Sequence, residues 1–261
     1  MALLLAVGQL AVAAASSDAG TPPGTPCIGP CPGYPLPPRR QGFSLTGSPQ
    51  SDVLLEVYGD NLCSFTKAAF TTLDLLAQHY ADKSVEIRVH WFPLPFHHNA
   101  SEPSRPPPRH PAGAPHLLGL RARYFVGMAD HWVGVNQPEK LFPFANAIFA
   151  AQGSFFGAAT TTMSPNQVKD QIVEVAVNAS IGINATGLRA ALDDHVTDIA
   201  QRVAWKTATS RGMYETPSFF LNGFRVRQGW PPYQGVAPEP EASNLTVWTT
   251  MIDALLYTKP Y

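Results

Sequence analysis

No stretch of this sequence concentrates lysine and arginine. Eighteen basic residues stand against 19 acidic ones, for a net charge of −1. That balance argues against a nucleic-acid or anionic-membrane partner, either of which calls for a basic face. The chain also lacks G-x-S-x-G, G-x-x-x-x-G-K-[ST] and H-E-x-x-H, so nothing points to a serine elbow, a phosphate loop or a zinc-protease helix. Long apolar runs are missing too. "ALLLAVGQLAVAAA" (2–15) is uncharged but too short to span a bilayer comfortably as a helix. It has signal-peptide length, with Ala13 and Ala15 forming an A-x-A cleavage site before Ser16, although no lysine or arginine precedes it. A buried N-terminal helix is the alternative. Four N-x-S/T sequons, at Asn99, Asn178, Asn184 and Asn244, add candidate glycosylation sites. The expectation is a secretory-pathway protein, in the endoplasmic reticulum lumen or outside the cell, with no stable membrane span after signal removal. In that oxidising compartment thiol chemistry means disulfide exchange.

Cysteine is scarce, with Cys27, Cys31 and Cys63 the complete set, whereas proline is plentiful at 26 residues. The prolines cluster. Residues 16–41 form a Pro/Gly/Ser linker that holds Cys27 and Cys31 and is not expected to form helix or sheet. A second proline-rich stretch, "SEPSRPPPRHPAGAPH" (101–116), reads as a surface loop or an insertion. The histidines at 97, 98, 110 and 116 are irregularly spaced, which favours a solvated loop over a metal site.

Between these stretches the pattern is alternately strand-like and helical. "DVLLEVY" (52–58) is a compact β-rich run. "SFTKAAFTTLDLLAQHY" (64–80) places Phe65, Ala68, Ala69, Leu73, Leu76 and Ala77 on one face at helical spacing. "SVEIRVHWFPLP" (84–95) alternates Val85, Ile87, Val89 and Trp91 with Glu86, Arg88 and His90, which reads as a strand. The three make a βαβ unit with parallel strands. Helices are expected over 137–152, where Pro143 marks a kink or a start, and over 164–177, where Ser164 caps and Pro165 opens the helix. A third is expected over 186–212, with Leu188, Ala191, Leu192, Val196, Ile199 and Val203 on one stripe and Gly212 as the stop. "TPSFFLNGFRV" (216–226) reads as a hairpin turning at Asn222-Gly223, and a last helix covers 245–257.

This order, βαβ then helices then ββα, together with three motifs, resembles the DsbA-like branch of the thioredoxin superfamily. "VYGDNLCSFTKAAF" looks like that family's strand, active site and helix. "WFPLPFHHNA" is similar to the strand and turn after the first helix, and "YETPSFFLNG" to the cis-proline strand and hairpin. "PPRRQGFSL" is similar to eukaryotic members. The resemblance spans roughly 38–257, and the proline-rich 101–116 departs from it. It implies an α/β, thioredoxin-like domain over 42–257 with a helical insertion at about 117–212, sitting as a lid. It also implies a cis Thr216–Pro217 bond beside Cys63, with Thr216, Ser64 and Phe65 meeting an extended substrate.

Cys63 is expected at a helix N-terminus, where unsatisfied N–H groups and the dipole favour a thiolate. Lys67 would add to this and Asp60 would oppose it. In a Cys-x-x-Cys enzyme the second cysteine releases the mixed disulfide, but here that place is Thr66. Its hydroxyl could hydrogen-bond the Cys63 sulfur but cannot form a disulfide. Cys63 alone reads equally as an ordinary buried cysteine, and the matching proline segment tips it toward a reactive site. Cys27 and Cys31 form a small disulfide with each other, or one of them resolves at Cys63, since about twenty linker residues reach ~20–25 Å. Two functions follow. One is monothiol disulfide exchange or isomerisation on polypeptides that carry thiols or disulfides, with no cofactor beyond glutathione as redox co-substrate. The other is a non-catalytic module that binds extended chains.

Overall fold

Seven apolar positions of the two strands Val53–Gly59 and Val85–Trp91 are at most 5% exposed (Val53, Leu55, Val57, Val85, Ile87, Val89 and Trp91), and they organise the molecule. The computed structural model describes residues 40–94, 116–160, 162–226 and 244–257, all within the unit Pro37–Tyr261. Outside the described residues lie the signal-peptide run 1–15, the linker up to residue 39 with Cys27 and Cys31, Asn99, and residues 101–115.

Five strands form one sheet: β1 (Phe43–Thr46), β2 (Val53–Gly59), β3 (Val85–Trp91), β4 (Ser218–Leu221) and β5 (Phe224–Val226). Their order is β1-β3-β2-β4-β5. β2 and β3 are parallel, as the βαβ reading expects, and the other pairings are antiparallel. The hairpin turns at Asn222 and Gly223, both at positive φ (48° and 84°), which suits a two-residue turn between twisted strands.

β1 was not anticipated. It is four residues long, below the reach of a periodicity argument, and it lies in the stretch that carries Gly42 and Gly47 at its two ends. At Gly47 a Cβ would stand 2.0 Å from the Val85 carbonyl oxygen, so only glycine lets this strand come so close to β3. Glu86 and Arg88 of β3 are also buried, and His90 is partly so. Arg88 donates to Glu86 and to the carbonyls of Gln41 and Gly42, tying β1's approach to the sheet.

Helix α1 (Ser64–His79) packs on one sheet face together with α8 (Leu245–Tyr257). Its buried positions are Thr66, Ala69, Phe70, Thr72, Leu73 and Leu76, whereas Phe65 and Ala68 are exposed. The apolar stripe drawn from sequence was therefore misplaced at its start, because Phe70 turns inward against Trp91 and Phe149.

Between β3 and β4 run α2 (His116–Asn136), α3 (Leu141–Ala150), α4 (Gly157–Thr160), α5 (Pro165–Asn178), α6 (Ala185–Ala191) and α7 (His195–Ser210), with short 3-10 turns before and after α3. Pro143 falls in the first turn of α3, where no helical N–H bond is lost, so it marks the start of the helix. Ser164 and Gln167 form a reciprocal capping box on α5. The helix expected over 186–212 is two helices. Asp194 accepts from the Thr197 N–H at 2.8 Å and starts α7 afresh. That restart moves Val196 off the expected stripe, and it is 74% exposed. Thr197, Gln201 and Ala208 are buried in its place.

Three apolar clusters result among the described residues. The smallest, of Tyr58, Phe92, Leu94, Ala208, Met213 and Phe220, lies on the sheet face away from α1. The two larger ones matter most for the fold. One lies between the sheet and α1, α8 and part of α3. The other is built from α2, α3, α5 and α6, and it takes in Leu62, the residue before Cys63.

Candidate active site around Cys63

β2 ends at Gly59 and α1 begins at Ser64, so the four residues Asp60 to Cys63 form a short loop at the C-terminal end of the central strand. Cys63 is the N-cap of α1, in extended conformation with φ −97° and ψ 124°, and its side chain makes no capping hydrogen bond. Its Sγ instead donates to the carbonyl oxygen of Thr216 at 3.3 Å. The Thr216–Pro217 peptide bond is cis, and Pro217 and Thr216 are both buried. The structure thus brings Cys63, Thr216 and Pro217 together. Cys63 is itself 3% exposed, whereas its neighbours Ser64 and Phe65 face out, Phe65 with 49% of its surface. The Thr216 hydroxyl has no hydrogen-bond partner among the described residues.

Thr66 lies one turn into the helix and is fully buried. Its hydroxyl does not serve the Cys63 sulfur as the sequence suggested. It accepts from the Asp60 N–H at 3.3 Å, and its methyl fills the space over Gly59. Hydroxyl and methyl together close the turn between strand and helix.

The loop is held from both sides. Asp60 accepts from the Leu62 N–H at 2.8 Å and the Leu94 N–H at 3.0 Å. It also pairs with Arg123 of α2, whose other nitrogen donates to the Leu62 carbonyl at 3.0 Å. The expected opposition of Asp60 to a thiolate is offset by this guanidinium. Asn61 donates to both oxygens of Asp130, at 2.8 and 2.9 Å. Gln152, after α3, donates to the carbonyls of Asn61 (2.8 Å) and Cys63 (3.1 Å). Burial and the nearby Asp60 charge push the Asp130 carboxyl well above the ordinary range, against a smaller pull from Asn61.

Sequence reasoning named none of Asn61, Arg123, Asp130 or Gln152 as site residues. One signal was present. Arg123 and Asp130 are seven residues apart, on one face of an otherwise apolar helix segment.

A second polar group lies on the opposite face of the sheet. Arg211, at the end of α7, donates to both oxygens of Glu56 (2.6 and 2.9 Å) and to the Tyr58 hydroxyl (2.6 Å), and its guanidinium covers Phe220. Burial alone would raise the Glu56 pKa, but hydrogen bonds from His90 and Arg211 outweigh it and hold Glu56 at about 2. Burial in turn lowers the His90 pKa, keeping the ring neutral. This group anchors the start of the segment that runs from Arg211 to Thr216. Among the described residues no helix is long and apolar enough to cross a membrane, and no cluster of three metal-ligating side chains occurs.

No family model matches the sequence, and no curated protein matches it. Solved structures do match by shape. BdbD from Bacillus subtilis superposes with a TM-score of 0.53 at 12% identity, covering 84% of this chain and all of that one. The thiol-disulfide exchange protein alpha-DsbA2 from Wolbachia pipientis gives 0.53 at 17% identity, over 82% and 87% of the two chains. Alpha-DsbA1 from the same organism gives 0.53 at 16%, over 85% and 92%. At these identities the likeness is one of architecture: the chain has the α/β, DsbA-like thioredoxin fold with a helical insertion.

Proposed function

We propose that the protein is a thiol-disulfide exchange protein that works with one active-site cysteine, Cys63. The observation that carries this reading is the 3.3 Å hydrogen bond from Cys63 Sγ to the Thr216 carbonyl. It sets the thiol of the residue at the N-cap position of α1 against the backbone of the segment that leads into β4. In the reaction the Cys63 sulfur gives up its proton and attacks one sulfur of a substrate disulfide. The substrate S–S bond breaks, the mixed disulfide Cys63–S–S–R forms, and the departing thiolate takes up the proton. With Thr66 in place of a second cysteine, a thiol of the substrate or of glutathione then attacks the mixed disulfide and frees Cys63. The substrates are polypeptides carrying thiols or disulfides, met by Thr216, Ser64 and Phe65. The structural likeness to alpha-DsbA2, a thiol-disulfide exchange protein, supports the same chemistry.

A second reading, a module that binds extended chains without turnover, is favoured by one observation. The thiol is 3% exposed, while Phe65 (49%) and Tyr214 (62%), two residues from Cys63 and Thr216 respectively, present aromatic surface. The test is to incubate the folded protein with a peptide disulfide and find the adduct by mass spectrometry. Exchange predicts an adduct on Cys63 that a reduced thiol releases, and none in Cys63→Ser. Peptide binding without an adduct would favour the module.

The secretory route belongs to the same proposal, with Cys27 and Cys31 paired to each other or one of them resolving at Cys63. Asn178, Asn184 and Asn244 are exposed. The Oδ1 atoms of Asn184 and Asn244 cap helices, which leaves Nδ2 for a glycan. Expression in a eukaryotic secretory host and glycosidase treatment test these sites, and Asn99 with them.

A further inference from the structure

Asp130 is 1% exposed and belongs to α2, in the helical insertion, yet its side chain reaches the cysteine loop. Both its oxygens receive the Asn61 side-chain amide, at 2.8 and 2.9 Å. Asn61 is 2% exposed and lies two residues before Cys63. The neighbouring charged groups are already engaged, Arg123 with Asp60 and with the Leu62 carbonyl. A buried carboxyl without a cation is costly to keep for packing alone. Its position is what distinguishes it: it is the insertion's hold on the side chain of Asn61, while Gln152 holds the backbone on either side of Leu62.

We propose that Asp130 is a positioning residue for Cys63, acting through Asn61 to keep the sulfur seated beside the Thr216 carbonyl. Asn61 is tethered to the insertion by its own side-chain amide, so releasing it removes one of the holds on the loop, beside those of Asp60, Arg123 and Gln152. Two reactivities should then move in opposite directions. A small alkylating reagent gains access as the seat loosens. Exchange with a peptide disulfide, which needs the sulfur held next to Thr216, slows. A residue that only stabilised the insertion would change the melting temperature and leave both reactivities of the folded protein unchanged.

The experiment compares the full chain with Asp130→Ala, Asp130→Asn, Asn61→Ala and the Asp130→Ala/Asn61→Ala double variant. Measured on folded protein are iodoacetamide alkylation of Cys63, exchange with a peptide disulfide, and hydrogen exchange of the Leu62 and Cys63 amides. Asp130→Ala and Asn61→Ala should each speed alkylation and amide exchange and slow peptide exchange, by about tenfold or more. The double variant should do no worse than either single one, as expected for two halves of one contact. Asp130→Asn, which can still accept from Asn61, should stay within about twofold of the natural protein by the same measure. Unchanged alkylation and amide exchange in both alanine variants, or Asp130→Asn behaving like Asp130→Ala, would overturn the assignment. Should Asp130→Ala fail to fold, Asn61→Ala and Asp130→Asn decide it. The peptide arm alone rests on the exchange reading of Cys63. If the natural protein forms no adduct, that reading fails while alkylation and amide exchange still judge Asp130.

Discussion

Thr66 and Gly59 touch where a thioredoxin-type site would carry its second cysteine. A Cβ on Gly59 would lie 2.8 Å from the Thr66 methyl carbon and 3.8 Å from its hydroxyl oxygen. Gly59→Ala should therefore destabilise the fold by about 1–3 kcal/mol through overpacking. Adding Thr66→Ser removes the clashing methyl and should recover most of that loss, and urea titrations of the three proteins check it. The other change at this position concerns chemistry. Residues i and i+3 share a helix face, and a disulfide needs Cβ atoms about 3.5–4.5 Å apart. Thr66→Cys should bond to Cys63 under mild oxidation and should oxidise reduced test peptides. The natural protein should stop at mixed disulfides or need added glutathione. A Thr66→Cys variant that leaves both thiols free would place Cys63 at some other kind of site. An efficient natural oxidase would instead implicate Cys27 or Cys31, and replacing both with serine should then abolish it.

Strand β2 carries two jobs on its two faces, and the second has a pH signature. Leu55 and Val57 face the core with α1, while Glu56 and Tyr58 face Arg211 and His90. Glu56 is held at about 2, below its ordinary 4.5. Its folded-state pKa is depressed, so the stability it adds is present above about 4.5 and is lost as pH falls toward 2. That loss is on the order of 3 kcal/mol. His90 is also depressed, from 6.5. The unfolded chain binds its proton first, so stability begins to fall below about 6.5. Urea midpoints at pH 7, 5 and 3 should show this two-stage decline, and Glu56→Gln should flatten the lower stage. A Glu56→Gln curve parallel to the natural one would mean the Arg211 pair contributes nothing. The alternation of β3 was legible in sequence, but not that its polar side is buried. Glu86 and His90 find partners 46 and 34 residues away, at Arg40 and Glu56 respectively. The same limit hid the break at Asp194, since a stripe of apolar residues continues in the sequence even where a new N-cap shifts its phase.

At the scale of the molecule, the βαβ unit and the hairpin could be read because strongly apolar strands and the Asn222-Gly223 turn leave few other arrangements, whereas the full strand order, with β1 at one edge, could not. Cys63, Thr216 and Pro217 could be named together only because a resemblance linked motifs more than 150 residues apart, a distance that the Sγ–Thr216 bond spans. The loop's support could not be read at all. It comes from Arg123, Asp130 and Gln152, which belong to the insertion and carry no local pattern that announces a target. Leu62 shows the same coupling through packing, because it completes the insertion's core while its neighbour caps α1. The insertion is therefore more than a cover, and a cysteine held this firmly is either poised or simply buried. One measurement separates the two: the rate at which Cys63 forms a mixed disulfide with a peptide disulfide, followed by mass spectrometry at one pH, in the native protein and in the same protein unfolded in urea, with Cys27 and Cys31 replaced by serine in both. Exchange at a seated thiol predicts that the native protein reacts faster than the unfolded chain. Adduct formation only on unfolding would contradict the account, and would make Cys63 an ordinary core residue.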